Sequence, residues 1–197
     1  MDISVTRAVY RFEELSEDAK WRAIEVLSEQ AWDDLDSYMV SEDLTTRFAW
    51  EAANNDGGPY SRKAFRDRFG IDIEWSVGYS QSDYAAVTGY LDRVECPHLA
   101  WPNDVRAIRV RSNNYHGSTV VDVFVGDDYD YAREQADWDA ASEMIANLNR
   151  TIYKWARQAC EDYTSTDYVI FFIQASGVPY QWNEDGTQAP AIFWRES

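Results

Sequence analysis

Hydrophobic positions recur with a period of two in the middle of the chain and at steps of three and four on either side of it. From residue 71, Ile71, Ile73, Trp75, Val77 and Tyr79 share one parity, while Asp72, Glu74, Ser76, Gly78 and Ser80 share the other. That alternation predicts a half-buried strand. After "SQSD" the chain returns over 84–92 as a second strand, so a hairpin is expected. "VRAIRVRS" (105–112) and "STVVDVFVG" (118–126) predict another hairpin around "NNYHG". Links this short do not accommodate parallel crossovers, so the sheet is expected to be antiparallel.

The flanking segments read as helices, apart from "SVTRAVYRF" (4–12), which reads as a short strand. "ELSEDAKWRAIEVLSEQAWDDLDSYM" predicts one helix N-capped by Ser16. Its buried stripe is expected at Trp21, Ile24, Leu27, Ala31, Leu35 and Tyr38. Asp18, Arg22, Glu25, Glu29, Asp33 and Asp36 recur on another face. Ser41 is expected to cap a second helix reaching about Asn54, before "NNDGGP" breaks the chain. "YSRKAFRDRFG" predicts a short helix ended by Gly70. "DDYDYAREQADWDAASEMIANLNRTIYKWARQACEDY" predicts a long helix after an acidic lead-in. Its seam of Trp138, Ala141, Ile145, Leu148, Ile152, Trp155 and Ala159 suits a core helix crossing a sheet, with a coiled coil as the alternative. Residues 166–175 fit either a buried strand or a short helix ended by Gly177, and "NEDGT" is a turn with Asp185-Gly186 at its centre.

The chain has 197 residues, 45% of them hydrophobic and 15% aromatic, which is enough for a core in one domain spanning 1–197. The net charge of −17 disfavours direct binding to nucleic acid or to an anionic membrane, and favours basic partners. Solubility and adaptation to salt are the alternative reasons for such acidity. The two cysteines form no disulfide framework, no apolar run approaches membrane-spanning length, and the first residues lack a signal-peptide pattern. A cytoplasmic protein is expected.

Few residues suggest chemistry. Gln81, Asp83 and His116 would form a polar site if the two hairpins are neighbours, with Asp83 orienting His116 as an acid or base. Equally, Asp83 serves the turn with its own backbone bonds and His116 sits in a loop. Cys96 and His98 have zinc-compatible spacing but lack two further ligands. Asp128, Asp130 and Asp139 match positions one, three and twelve of a calcium loop, yet Arg133 stands where that loop requires glycine. No metal and no cofactor are expected, and neither a phosphate loop nor a dinucleotide fingerprint is present.

The acidic faces are the other candidates: Glu25, Glu29, Asp33 and Asp36 on the first helix, and Asp127, Asp128, Asp130 and Asp137 before and within the long one. Carboxylates at i and i+4 stand about 6 Å apart along a helix. Two phosphate steps on one strand span roughly the same distance, at about 3.4 Å each. Such faces can imitate a nucleic-acid backbone. Basic residues cluster elsewhere, at 62–68 and 106–111.

In order along the chain, "ELSEDAKWRA", the "SQSD" hairpin, "NNYHG", a long helix ending at "CEDYTSTD", and "NEDGT" together resemble a family of small phage and prophage proteins with no established activity. The resemblance covers most of the chain. It departs at the hairpin turn, where the family's two glycines are replaced by Ser82 and Tyr84, which removes room for close backbone approach there. Some relatives in that family carry an antitoxin-like label.

These readings converge on an α+β fold: a central antiparallel sheet of about four strands, an N-terminal helical segment, and a long C-terminal helix packed on the sheet. The leading functional expectation is non-enzymatic. It is a phage-encoded acidic accessory protein, in the host bacterial cytoplasm, that binds and inhibits a basic, nucleic-acid-binding host defence protein. The alternatives are a small-molecule or enzymatic site at Gln81, Asp83 and His116, and an antitoxin-like binder of a basic toxin.

Overall fold

The computed structural model describes residues 10–33, 37–53, 59–78, 83–112, 119–126, 128, 130–175 and 182–188. Their elements run α1 (Glu17–Asp33), α2 (Ser37–Ala53), α3 (Arg62–Phe69), β1 (Ile71–Ser76), β2 (Tyr84–Asp92), β3 (Val105–Ser112), β4 (Thr119–Val125), β5 (Asp130–Tyr131), α4 (Gln135–Tyr163) and α5 (Thr166–Ala175). The fold is α+β, as expected. The chain divides into two compact units: 36–160, and 1–35 together with 161–197.

The unit 36–160 holds the sheet, which is antiparallel throughout in the order β1-β2-β3-β4-β5. Both predicted hairpins form. Leu91 pairs with Ile108 and Ile108 with Val123, and all three are buried. One residue away, Tyr90 pairs with Arg109 and Arg109 with Asp122 on the opposite face, so at these rows burial alternates with the period of two read from the sequence, whereas Ala85, Ala86 and Val87 of β2 are all buried. The two-residue β5 raises the strand count from about four to five. It was not legible because a pair of residues carries no periodicity. It is fixed instead by the stacking of Tyr131 on Phe124, with ring centroids 4.7 Å apart.

α3 follows its sequence signals closely. Ser61 Oγ accepts from Ala64 N, and Gly70 closes the helix in the left-handed region at φ 68°. Phe65 and Phe69 pack edge-to-face or tilted against Phe48, Tyr60 and each other. α2 corrects the expected cap: it starts at Ser37, and Ser41 lies inside it. The Ser41 hydroxyl accepts from Trp75 Nε1 at 3.0 Å, so a tertiary bond takes the oxygen that would have capped a helix. The seam of α4 is buried at Ala141, Ile145, Leu148, Ile152, Trp155 and Ala159, as a core helix requires. Asn149 Oδ1 accepts from Val87 N at 2.9 Å and ties α4 to β2.

In the other unit, Tyr10 and Trp182 exchange backbone hydrogen bonds. Phe12–Glu14 is a single 3-10 turn, so the expected strand stops short of Phe12, its last residue; Glu14 Oε2 accepts from Arg11 N and closes the turn locally. The expected strand's first six residues, 4–9, lie outside the described residues. Ser16 Oγ accepts from Ala19 N at the start of α1, as predicted. Residues 166–175 form a helix, because Ser165 caps it by accepting from Tyr168 N. Phe12, Leu15, Ala19, Ala23, Ile24, Val169, Ile173 and Trp182 make this unit's core. Gly186, at φ 84°, lies so close to Ala19 that a Cβ would overlap its carbonyl oxygen, so the "NEDGT" turn sits directly on the backbone of α1.

Candidate functional site

The first candidate surface is the outer face of α1. The buried side of this helix is Ala19, Ala23 and Ile24, with Leu27 partly buried. Ala19 admits the turn at Gly186, and Ile24 and Leu27 of the predicted stripe face the core, but Trp21 does not. The expectation that Trp21 is buried is therefore overturned: it is 63% exposed. It stands among Asp18, Arg22, Glu25 and Glu29, all exposed. An exposed aromatic ring within an acidic helix face makes this surface a candidate for contact with a partner protein. The side chain of Asp33, and the whole of Asp36, lie outside the described residues.

The second acidic stretch has a different geometry from the first. Asp128 occupies a turn and is exposed, Asp130 is in β5 and is exposed, and Asp137 is half-buried in the first turn of α4. Asp139 accepts from Gln135 Nε2 at 2.9 Å. These acids lie on a turn, a strand and a helix start, so they do not share the i, i+4 spacing of one helix face. Asp127 lies outside the described residues. Of the polar trio proposed at the hairpins, Gln81 and His116 also lie outside them. Asp83 is half-buried just before β2, with Oδ1 near Gly78.

Three of the four basic groups at 62–68 are paired within their own unit. Arg62 and Arg66 both donate to Asp72, at 2.7 Å each, and Arg68 pairs with Glu95 at 3.0 Å. The bond to Asp72 holds the Arg62 guanidinium pKa above its usual value. In β3, Arg111 pairs with Asp122 at 2.9 Å. These four arginines are therefore paired with acids of their own unit.

The second candidate surface is a cleft of about 400 Å³ within the unit 36–160. Sequence reasoning missed it. Met144, Leu148 and Trp155 of α4 give it apolar walls, Glu51 of α2 and Glu143 of α4 bring carboxylates, and His98, Leu99 and Pro102 close it from the loop between β2 and β3. The loop is held firmly. His98 N donates to Ala52 O at 3.1 Å at the end of α2, Trp101 Nε1 donates to Cys96 O at 2.7 Å, and Arg93 Nη1 donates to the carbonyls of Pro102, Asn103 and Val105. On α2, Arg47 Nε donates to Glu51 at 2.9 Å, and its guanidinium lies 4.9 Å from the centroid of the Trp155 ring. The only sequence signal for this cleft was the apolar, proline-punctuated run "CPHLAWP", which reads equally as a plain turn.

Cys96 is buried, and burial, with Glu95 and Asp92 nearby, pushes its thiol up to about 12. Among the described residues, no three or more His, Cys, Asp or Glu side chains are grouped to hold a metal ion. No described helix is long and apolar enough to cross a membrane. No family model, curated protein or solved structure matches the chain.

Proposed function

We propose that this protein is an acidic accessory factor that binds a basic, nucleic-acid-binding protein and blocks its groove. The order of motifs resembles that of phage proteins, and a host defence protein is the target we infer from that resemblance. The observation that carries this reading is Trp21, 63% exposed within the acidic face of α1. Glu25 and Glu29 lie one turn apart there, with the approximate spacing of two phosphate steps. Acids steer the encounter, and the indole supplies the apolar anchor that fixes the complex.

The test uses the full chain as bait in host lysate, at low and high salt, beside two variants: Trp21→Ala, and a triple reversal of Asp18, Glu25 and Glu29 to Lys. A basic protein is expected on the parent, displaced by added DNA and weakened by salt. Trp21→Ala should weaken it by about thirtyfold, the effect of losing roughly 2 kcal/mol at a hot spot. The reversal should chiefly slow association. Reversing Asp128 and Asp130 instead should have little effect, because their spacing is not that of one helix face. If both α1 variants capture the same proteins as the parent, the acidity serves only solubility.

A further inference from the structure

Independently of the α1 face, we propose that Asp72 is a guard that keeps the outer edge of β1 from pairing with β1 of a second copy of this chain. β1 is the terminal strand of the sheet. In an antiparallel pair, successive residues turn their backbone groups alternately toward and away from the neighbouring strand. Asn149 accepts from Val87 N, so that amide points away from β1, and Val87 is in register with Ile73. By the same alternation, Ile71, Ile73 and Trp75 turn their N–H and C=O groups away from β2, toward the edge. Such a row is a template on which another strand can pair.

The central donor of the row is already taken. Asp72 Oδ1 accepts from Ile73 N at 3.0 Å. The carboxylate is fixed there by α3: Arg62 donates to both oxygens, at 2.7 and 3.0 Å, and Arg66 Nη2 donates to Oδ2 at 2.7 Å. The two arginine side chains are 47% and 56% exposed, so this clasp lies at the surface. β1 is otherwise complementary to itself. A two-fold axis through Ile73 would set the two copies of Ile73 opposite each other, exchanging both backbone bonds, with Ile71 opposite the other copy's Trp75. Apolar side chains would then meet across the joint on that face. On the other face Asp72 would stand opposite Glu74, and like charges directly opposite are destabilising. Asp72 thus opposes the joint twice, by occupying Ile73 N and by facing a second carboxylate.

The test follows the association of the full chain across a concentration series by sedimentation velocity, with amide hydrogen exchange read in parallel. In the parent, exchange at Ile71, Ile73 and Trp75 should not depend on concentration. Asp72→Ala uncaps Ile73 N and removes the repulsion. In dilute solution its Ile73 amide should exchange about tenfold faster than in the parent, the effect of losing a hydrogen bond to a charged acceptor. In concentrated solution this variant should gain the mass of a second copy, and exchange at the three amides should slow. Asp72→Asn removes the repulsion but keeps a side-chain oxygen for Ile73 N, so it should behave like the parent. Where Asp72→Ala does not fold, Arg62→Ala combined with Arg66→Ala, which frees the carboxylate from its clasp, is read in the same way. The proposal is overturned if the folded variant never associates, if it associates without slowing exchange at these three amides, or if Asp72→Asn associates as strongly. Protection of the three amides that rises with concentration in the parent overturns it as well, since the edge would then be open.

Discussion

Cys96 shows how one buried group ties stability to pH. In the folded protein its thiol holds a proton to about 12, whereas the ordinary value is 9.0. Above about pH 9 the unfolded chain gives up this proton and the folded chain keeps it. Its contribution is thus fully present below that pH and is lost as pH rises toward 12. Chemical denaturation between about pH 9 and 10 should show stability falling by up to about 1.4 kcal/mol per pH unit from this group, and Cys96→Ala should remove that part of the slope. An unchanged slope in the variant would show that the thiol is not the group titrating. Gly89 is a second decisive residue. At φ 113°, a Cβ there would overlap the backbone of Gly70 and Ile71. Gly89→Ala should cost about 3 kcal/mol, read as a lower denaturation midpoint with an unchanged m-value. The sequence shows a glycine inside a strand, but only the pairing of β1 with β2 reveals what presses on it.

At the scale of elements, most boundaries follow local chemistry. Ser16 and Ser61 cap their helices and Gly70 ends α3, because capping depends on neighbours three or four residues away. Ser61→Ala should therefore cost about 1 kcal/mol. Where local signals misled, a distant group had taken the atoms involved. Ser41 gives its oxygen to Trp75, 34 residues away. The link between α4 and β2 is also non-local: Asn149 satisfies Val87 N, 62 residues away, and nothing in the helix periodicity marks Asn149 as special. Asn149→Leu should leave this amide unsatisfied at a cost of about 1–3 kcal/mol. Hydrogen exchange at Val87 would detect the change, which should be small elsewhere in β2. Exchange at Val87 as slow as in the parent would mean the bond is not what protects it.

For the whole molecule, the net charge of −17 dominates. Several described arginines are already paired with acids of the same chain, so self-repulsion among the remaining acids opposes compaction. Raising salt from low to physiological ionic strength should increase the melting temperature by a few degrees, since 1 kcal/mol corresponds to about 2–4 °C for a chain of this size. A melting temperature independent of salt would mean that the acids are spaced widely enough not to repel. The same salt increase should weaken the proposed α1 complex, so one solution variable would move folding and binding in opposite directions.

The sequence alone determined the α+β class, both hairpins, the buried seam of α4 and the limits of α3, because periods of two and 3.6 and the chemistry of caps are local properties. It also located the acid residues of α1. Tertiary structure decided which way that helix faces. Trp21 reads as core by spacing, yet the side of α1 that packs is Ala19, Ala23 and Ile24, with the turn at Gly186 lying against Ala19, and Trp21 is exposed. Tertiary structure likewise separated the acids of 128–137 onto different elements, and it assembled the cleft from α2, α4 and a loop far apart in the chain. A stripe on one helix can be read from its own residues, but a helix's rotation and a cavity's walls depend on what packs against them.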